Sequence, residues 1–249
     1  MSLTHPLKTG EALDAPESKR AYNARLFTEV APRYDQITRL LSFRRDALWK
    51  RDLIARLPAG PAPRCLDIAC GTGDLAGRLR NRYPDARITG VDLTDSMLAL
   101  ARQRHAKHRI EFVQGDMDHL EADDGSVDIL TGGYALRNAP DLLCFLSEVH
   151  RVLRPGGIAA FLDFSKPDSR VRAAVHYLLL KIWGGFWGLV FHRNPHVYGY
   201  IADSLQRFPA RTRLREYFHT SRLICREDFP RFFGLVEIII VEKACGGGP

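Results

Sequence analysis

The chain has few cysteines: five in 249 residues, at Cys65, Cys70, Cys144, Cys225 and Cys245. They form no CxxC pair and no cluster with histidine. An odd, scattered set excludes a disulfide framework and a zinc site of ordinary spacing, and it suits a reducing compartment. No metal site is expected. The N-terminus shows no signal-peptide pattern, and nowhere do eighteen apolar residues run together. The expectation is a cytoplasmic protein whose contact with any membrane is peripheral. No internal repeat is visible. The net charge of +7 would suit an anionic partner or simply a solubilising surface. No RNA-binding motif accompanies it, so a nucleic-acid partner is not expected.

What is present is an alternation. Residues 1–20 are polar and without periodicity and read as a mobile arm, as does the terminal GGGP. From about residue 22 the chain reads as helical, and DALWKRDLIARL predicts a second helix with Trp49, Leu53, Ile54 and Leu57 on one face. Residues 21–58 thus read as a helical lid. PAGPAP breaks the chain before the main unit. Over residues 64–165 short strands (RCLDIA, RITGVDL, IEFVQGD, SVDILTGG, IAAFLDFS) alternate with helices. The second helix of this series has Asp95 as its capping candidate. The third closes at Pro155-Gly156-Gly157. Such alternation predicts a parallel sheet covered on both faces, binding ligands at the carboxyl ends of its strands. Residues 166–245 bring further helices, with SRLICRED and GLVEIIIVEKA as a closing strand pair.

LDIACGTGDLAG follows the first strand and opens a helix. Gly71 and Gly73 allow a tight turn and close approach to a ligand, with Thr72 between them. Alone, GxG has a plain strand-to-helix turn as its alternative, and Gly71, Gly73 and Ala76 also satisfy a dinucleotide spacing. That site would hold a pyrophosphate at the helix N-terminus. Here Asp67 and Asp74 flank the loop, and carboxylates beside a pyrophosphate repel it. They suit a ligand that is cationic there, such as S-adenosylmethionine (SAM), and they disfavour an NADP oxidoreductase. Asp92 ends the second strand, beside Leu93, where a carboxylate can bind both ribose hydroxyls. Asp116 ends the third, placed for the adenine amino group with Met117 against the ring. The alternative for Asp116 is a turn cap.

YDQITRLLSFRRDALWKR, LDIACGTGDLAGRL, GVDLTDSMLALAR, YALRN, RVLRPGG and FSKP occur in that order between about Phe27 and Phe208. Together they closely resemble the UbiE/COQ5 methyltransferases of quinone biosynthesis. The GTG loop and acid-ended strands are shared by class I methyltransferases generally; YD, LRN and FSKP are more particular. The resemblance implies an α/β, Rossmann-like class I fold, a mostly parallel seven-stranded sheet with an N-terminal helical lid. It implies SAM as donor, with S-adenosylhomocysteine as product. The acceptor would be a polyprenylated quinol, demethylmenaquinol or 2-polyprenyl-6-methoxy-1,4-benzoquinol. Beyond Phe208-Pro209 the chain departs from the family's pattern: Gly234 can stand for a glycine of its last strand, but the histidine is missing.

The resemblance points to Tyr34, Arg137 and Asn138 for the chemistry. Methylation at carbon requires alignment of two substrates, exclusion of water and loss of a phenolic proton. Arg137 stays protonated and cannot be an ordinary base, so its expected role is to stabilise a developing phenolate. Asn138 would hold a water or ring oxygen, and Tyr34 would close the site from the lid and join the proton relay. The alternatives are that Arg137 caps the fourth strand or pairs with Asp141, and that Tyr34 is the amphipathic plug of a helix. Residues 170–193 carry HYLLLKIWGGFWGLVF, interrupted by glycines and read as too short to span a bilayer. Trp183 and Trp187 share a helical face, and Arg170, Arg172, Lys181 and Arg193 are candidates for anionic head groups. The same face would also serve as core or as a homodimer interface. Methylation of another small molecule or lipid is the alternative function.

Overall fold

The computed structural model describes residues 13–245. Seven strands form one sheet: β1 (Arg64–Ile68), β2 (Arg87–Asp92), β3 (Ile110–Gln114), β4 (Val127–Gly133), β5 (Leu153–Phe164), β6 (Leu223–Arg231) and β7 (Val236–Lys243). Their spatial order is β3-β2-β1-β4-β5-β7-β6. All neighbouring pairs are parallel up to β5, and β7 inserts antiparallel between β5 and β6. The sequence direction reverses between β1 and β4. The crevice outside their carboxyl ends is therefore where such a sheet receives a ligand.

Period-two alternation assigns each strand residue to a face. In β5, Ala159 and Phe161 join one core with Phe145, Leu146 and Phe218. Ala160 and Leu162 join the other with Leu53, Leu75 and Leu79. In β7, Ile239 and Val241 face the first core, and Ile238 and Ile240 the second. The helices covering these faces are α3 (Asp46–Ala55), α4 (Asp74–Arg82), α5 (Asp95–Arg104), α6 (Ala135–Asn138), α7 (Leu142–Val152), α8 (Arg170–His192), α9 (His196–Arg207) and α10 (Arg211–Thr220).

The lid consists of α1 (Pro16–Val30) and α2 (Tyr34–Leu41). Its Tyr22, Leu26, Val30 and Ile37 pack with Met97 of α5 and with Val197, Tyr198 and Tyr200 of α9. The lid therefore begins at Pro16, not residue 21, because a proline at the first helical position starts α1 there. The mobile-arm assignment fails for residues 16–20. Residues 1–12 and the terminal GGGP lie outside the described residues.

Three other expectations change. Thr94, not Asp95, is the N-cap of α5, and Asp95 is its first helical residue. The helix α7 ends at Val152, and the Arg-Pro-Gly-Gly stretch is a bulge within β5, between the Val127–Leu153 and Ile129–Ile158 pairs. The glycines of 170–193 do not interrupt the helix. Instead, α8 runs unbroken for 23 residues and is long and apolar enough, by length and composition, to cross a membrane. Gly184 and Gly188 let the backbone of 194–199 approach closely. A Cβ at Gly184 would meet the Tyr198 carbonyl at 2.6 Å, and one at Gly188 the Asn194 carbonyl at 2.6 Å.

Candidate active site

The carboxyl ends of β1, β2, β3 and β4 and the lid surround one cavity. Its wall includes Gly71, Asp92, Leu93, Asp116, Met117 and, from the lid, Phe27 and Tyr34. Asp92 is nearly buried, and its carboxylate accepts from the Gly71 N–H (2.8 Å) and the Thr94 N–H (2.9 Å). Each carboxylate oxygen keeps a lone pair for a ligand hydroxyl. Burial pushes this carboxyl up, and the two backbone hydrogen bonds oppose that shift. Asp116 accepts from the Asp118 N–H (3.0 Å) and pairs with Arg20 of α1 at 2.6 Å, so it holds the lid as well as facing the cavity. No lysine or arginine lines this cavity among the described residues. Its acids and apolar flanks fit an adenosyl group without phosphate.

Asp67, Thr72 and Gly73 do not line it. Asp67 lies on the α4 side of β1, where its carboxylate accepts from the Ala76 N–H (3.0 Å) and the Thr131 hydroxyl (2.7 Å). The N-cap of α4 is Gly73, which has no side chain to accept an orphan N–H. Asp67 supplies that acceptor from β1. Burial pushes its carboxyl up to about 7 despite both hydrogen bonds. Gly73 has a φ of +80°, and a Cβ there would meet His105 and Phe112 at 2.9 Å. Thr72 is buried, and its hydroxyl donates to Asp35 of the lid at 2.9 Å. Arg104 pairs with the same carboxylate and donates to Thr72 Oγ1 at 3.0 Å. Asp74 pairs with Lys50 (3.2 Å) and Arg78 (2.9 Å), away from the cavity. The acids expected to meet a cationic ligand at the loop are thus committed elsewhere, and Asp92 and Asp116 are the carboxylates that remain.

A second cavity, of about 500 Å³, adjoins the first and shares Phe27, Tyr34 and Asn138 with it. Its wall is almost wholly apolar: Leu26, Ile37, Trp49, Phe164, Trp183 and Val236 are among its members. Its polar members include Thr38, Ser42, Tyr134, Arg137 and Asn138. Arg137 is buried, and its Nη1 donates to Ser204 Oγ. Its guanidinium lies 5.4 Å from the centres of both the Phe164 and Tyr200 rings, close enough for cation–π attraction. Its nearest carboxylate is Asp163, at 3.8 Å, and not Asp141, which caps α7 by accepting from the Leu143 and Cys144 N–H groups. Arg137 Nε has no hydrogen-bond acceptor among the described residues. Burial pushes the Asp163 carboxyl up, and the Arg137 charge opposes it. Asn138 donates to the Tyr134 carbonyl at 2.8 Å, and the Tyr200 hydroxyl lies 3.0 Å from Asn138 Oδ1. Tyr34 is half-buried at the start of α2 and lines both cavities, which is the position expected of a lid residue.

The sequence reading missed Asp163, Ser204, Tyr200 and Asn23. Asn23 donates to the Asn138 carbonyl at 2.8 Å, and its Oδ1 lies 2.6 Å from the Tyr200 hydroxyl. Only Asp163 left a signal, as an acid near the end of an apolar strand. The others come from helices whose packing no short motif encodes.

Residues 15–227 match the ubiE/COQ5 methyltransferase family. A demethylmenaquinone methyltransferase of Chlamydia caviae is 32% identical, over 88% of this chain and 94% of its own length. One from Geobacillus stearothermophilus is 29% identical, over 91% of this chain and 99% of its own. The solved structure of a SAM-dependent methyltransferase from Thermotoga maritima superposes with a TM-score of 0.64 at 17% identity, over 88% of this chain and 99% of that one. With a matching fold, the chain belongs to the ubiE/COQ5 family and is a SAM-dependent methyltransferase.

Proposed function

We propose that the chain methylates a ring carbon of a polyprenylated quinol, demethylmenaquinol or a 2-polyprenyl-6-methoxy-1,4-benzoquinol, in quinone biosynthesis. The apolar cavity beside the cofactor cavity carries this reading. It is large enough for a ring with part of a prenyl chain, and Tyr34 and Asn138 stand in the wall of both cavities. An amine acceptor would want a carboxylate in the wall, and none is present among the described residues. The relatives named demethylmenaquinone methyltransferases favour the first quinol.

Bound SAM supplies a methyl on a sulfonium. Asp92 binds the ribose hydroxyls and Asp116 the adenine edge. Arg137, in the wall of the apolar cavity, meets the quinol oxygen as negative charge builds there. Asn138, in the wall of both cavities, aligns the two ligands, and Tyr34 closes over them.

The mouth of the apolar cavity opens between exposed apolar side chains: Phe43, Leu179, Ile182 and Phe233 line it and also face solvent. Leu178, Phe186 and Leu189 continue this surface along α8. We read it as a membrane-contacting face, with α8 lying along the bilayer surface at its cytoplasmic side so that the prenyl chain slides in from the lipid. The charged rim differs from the sequence expectation. Lys181 is held by Asp203 at 2.7 Å, whereas Arg44, Arg45, Arg170, Arg172 and Arg193 are exposed. Trp183 and Trp187 turn inward: Trp183 stacks on Phe43 at 4.9 Å, and Trp187 packs with the lid.

Methyl transfer from labelled SAM to demethylmenaquinol and to the methoxybenzoquinol, assayed side by side, tests the acceptor. Turnover of demethylmenaquinol is expected to be the faster. Transfer to neither quinol would overturn the reading.

A further inference from the structure

A hydrogen bond links the walls of two cavities of opposite character, which also share Tyr34 and Thr38. The Tyr134 ring lines the apolar cavity, tilted against Phe164 with centres 5.5 Å apart. Its hydroxyl donates to Asp46 Oδ1 at 2.7 Å. Asp46 belongs to a third cavity, a polar one lined by Lys50, Asp74 and Arg104 and reaching the surface at the exposed Arg39 and Arg44. Lys50 Nζ sits 2.9 Å from Asp46 Oδ2 and 3.2 Å from Asp74 Oδ2. Asp46 and Lys50 are both buried, and Tyr134 holds a left-handed backbone, φ +61°, that a bulky residue seldom adopts. Such geometry persists only where the surroundings over-determine it.

We propose that Tyr134 and Asp46 form the route by which the acceptor's phenolic proton leaves the apolar cavity. This rests on the quinol reading above. Arg137 is always protonated and cannot take the proton. Tyr134 can pass it on. As the substrate O–H bond breaks, its proton moves to the Tyr134 oxygen, and the Tyr134 proton moves to the Asp46 carboxylate. Tyr134 remains a phenol throughout, which suits a hydroxyl whose pKa burial and Asp46 hold well above its usual value. Asp46 becomes a carboxylic acid and then releases the proton to water in the polar cavity. Lys50 keeps Asp74 as counter-ion during that interval. The ring carbon uses its electron pair to bond the methyl, and the carbon–sulfur pair stays on sulfur. The ring proton then shifts to the quinone-like oxygen, restoring the phenol. The balance is one proton released per methyl transferred.

Neither Tyr134 nor Asp46 lines the cofactor cavity, so the route separates from donor binding. The test is single-turnover methyl transfer with wild type, Tyr134→Phe and Asp46→Asn, with SAM titrated into each. The acceptors are demethylmenaquinol with a two-isoprene tail and the same quinol carrying fluorine on its benzenoid ring, which makes its phenols more acidic. Both variants are expected to slow about 10²-fold on the ordinary quinol, the scale of a lost proton transfer. SAM affinity should stay within about threefold, and the deficit should shrink several-fold on the fluorinated quinol, since less help is then needed. A merely structural role would not make the deficit follow phenol acidity. Tyr134→Phe within about threefold of wild type, an equal deficit on both quinols, or a lost SAM affinity in Tyr134→Phe would each overturn the route. Wild type methylating neither quinol would overturn the route and the quinol reading together.

Discussion

Arg137 places a permanent charge where charge is costly, in a buried wall between apolar side chains. What offsets that cost is local: the Ser204 hydroxyl, two aromatic faces and the Asp163 carboxylate at 3.8 Å. Arg137→Ala should lower the single-turnover rate about 10²-fold, the scale of one lost charge-stabilising donor. SAM affinity, by titration calorimetry, should change little, because Arg137 is absent from the cofactor wall. The same variant should melt earlier, since Asp163 loses its counter-ion in a buried place. An unchanged rate would remove Arg137 from the chemistry. Asp67 shows what the sequence held and what a motif obscured. The alternation of β1 puts it on the face of Cys65, opposite Leu66 and Ile68, and so beneath α4. Its place beside the GTG loop suggested a ligand contact; the strand period pointed instead to a helix cap.

Among the elements, α8 and α9 form the closest helix pair bearing on the site, and two glycines make it possible. A methyl at position 184 has a carbonyl oxygen 2.6 Å away and no room to move aside, because that oxygen is backbone. Gly184→Ala should therefore cost about 1–3 kcal/mol of stability. In a chain of this size that is a drop of roughly 2–12 °C in Tm, read by calorimetry. A variant melting with wild type would show that the helices have space to part. The segment had read as interrupted because glycine weakens helices in isolation. Here the missing Cβ is what the tertiary contact uses. The lid follows similar logic. The Tyr-Asp pair at its second helix divides its work: Tyr34 lines the two adjoining cavities, and Asp35 ties the lid to Thr72 and Arg104. The motif was legible, but only the fold shows that its second member is a latch.

For the whole molecule, the exposed apolar face of α8, Phe43 and Phe233 leads into the apolar cavity, with arginines nearby. Sedimentation with anionic liposomes at low salt should carry the protein down, and raised salt should release it, because head-group attraction is screened. Phe43→Ser with Phe233→Ser should weaken that binding while leaving SAM affinity unchanged. Protein that stays in the supernatant at low salt would count against the face. The alternation of strands and helices, the Gly71–Gly73 turn and the acids at Asp92 and Asp116 were readable in sequence, because periodicity and turn chemistry are local. So was the closing strand pair, whereas its antiparallel pairing came only with the structure. The apolar cavity was not readable. Its wall draws on residues from 26 to 236, and no local pattern records which side chains meet across that distance. Tertiary packing alone decided that Asp74 pairs with Lys50 and that Tyr134 reaches Asp46. Each depends on a contact between elements far apart in the chain, and only the packed sheet brings them within hydrogen-bond range.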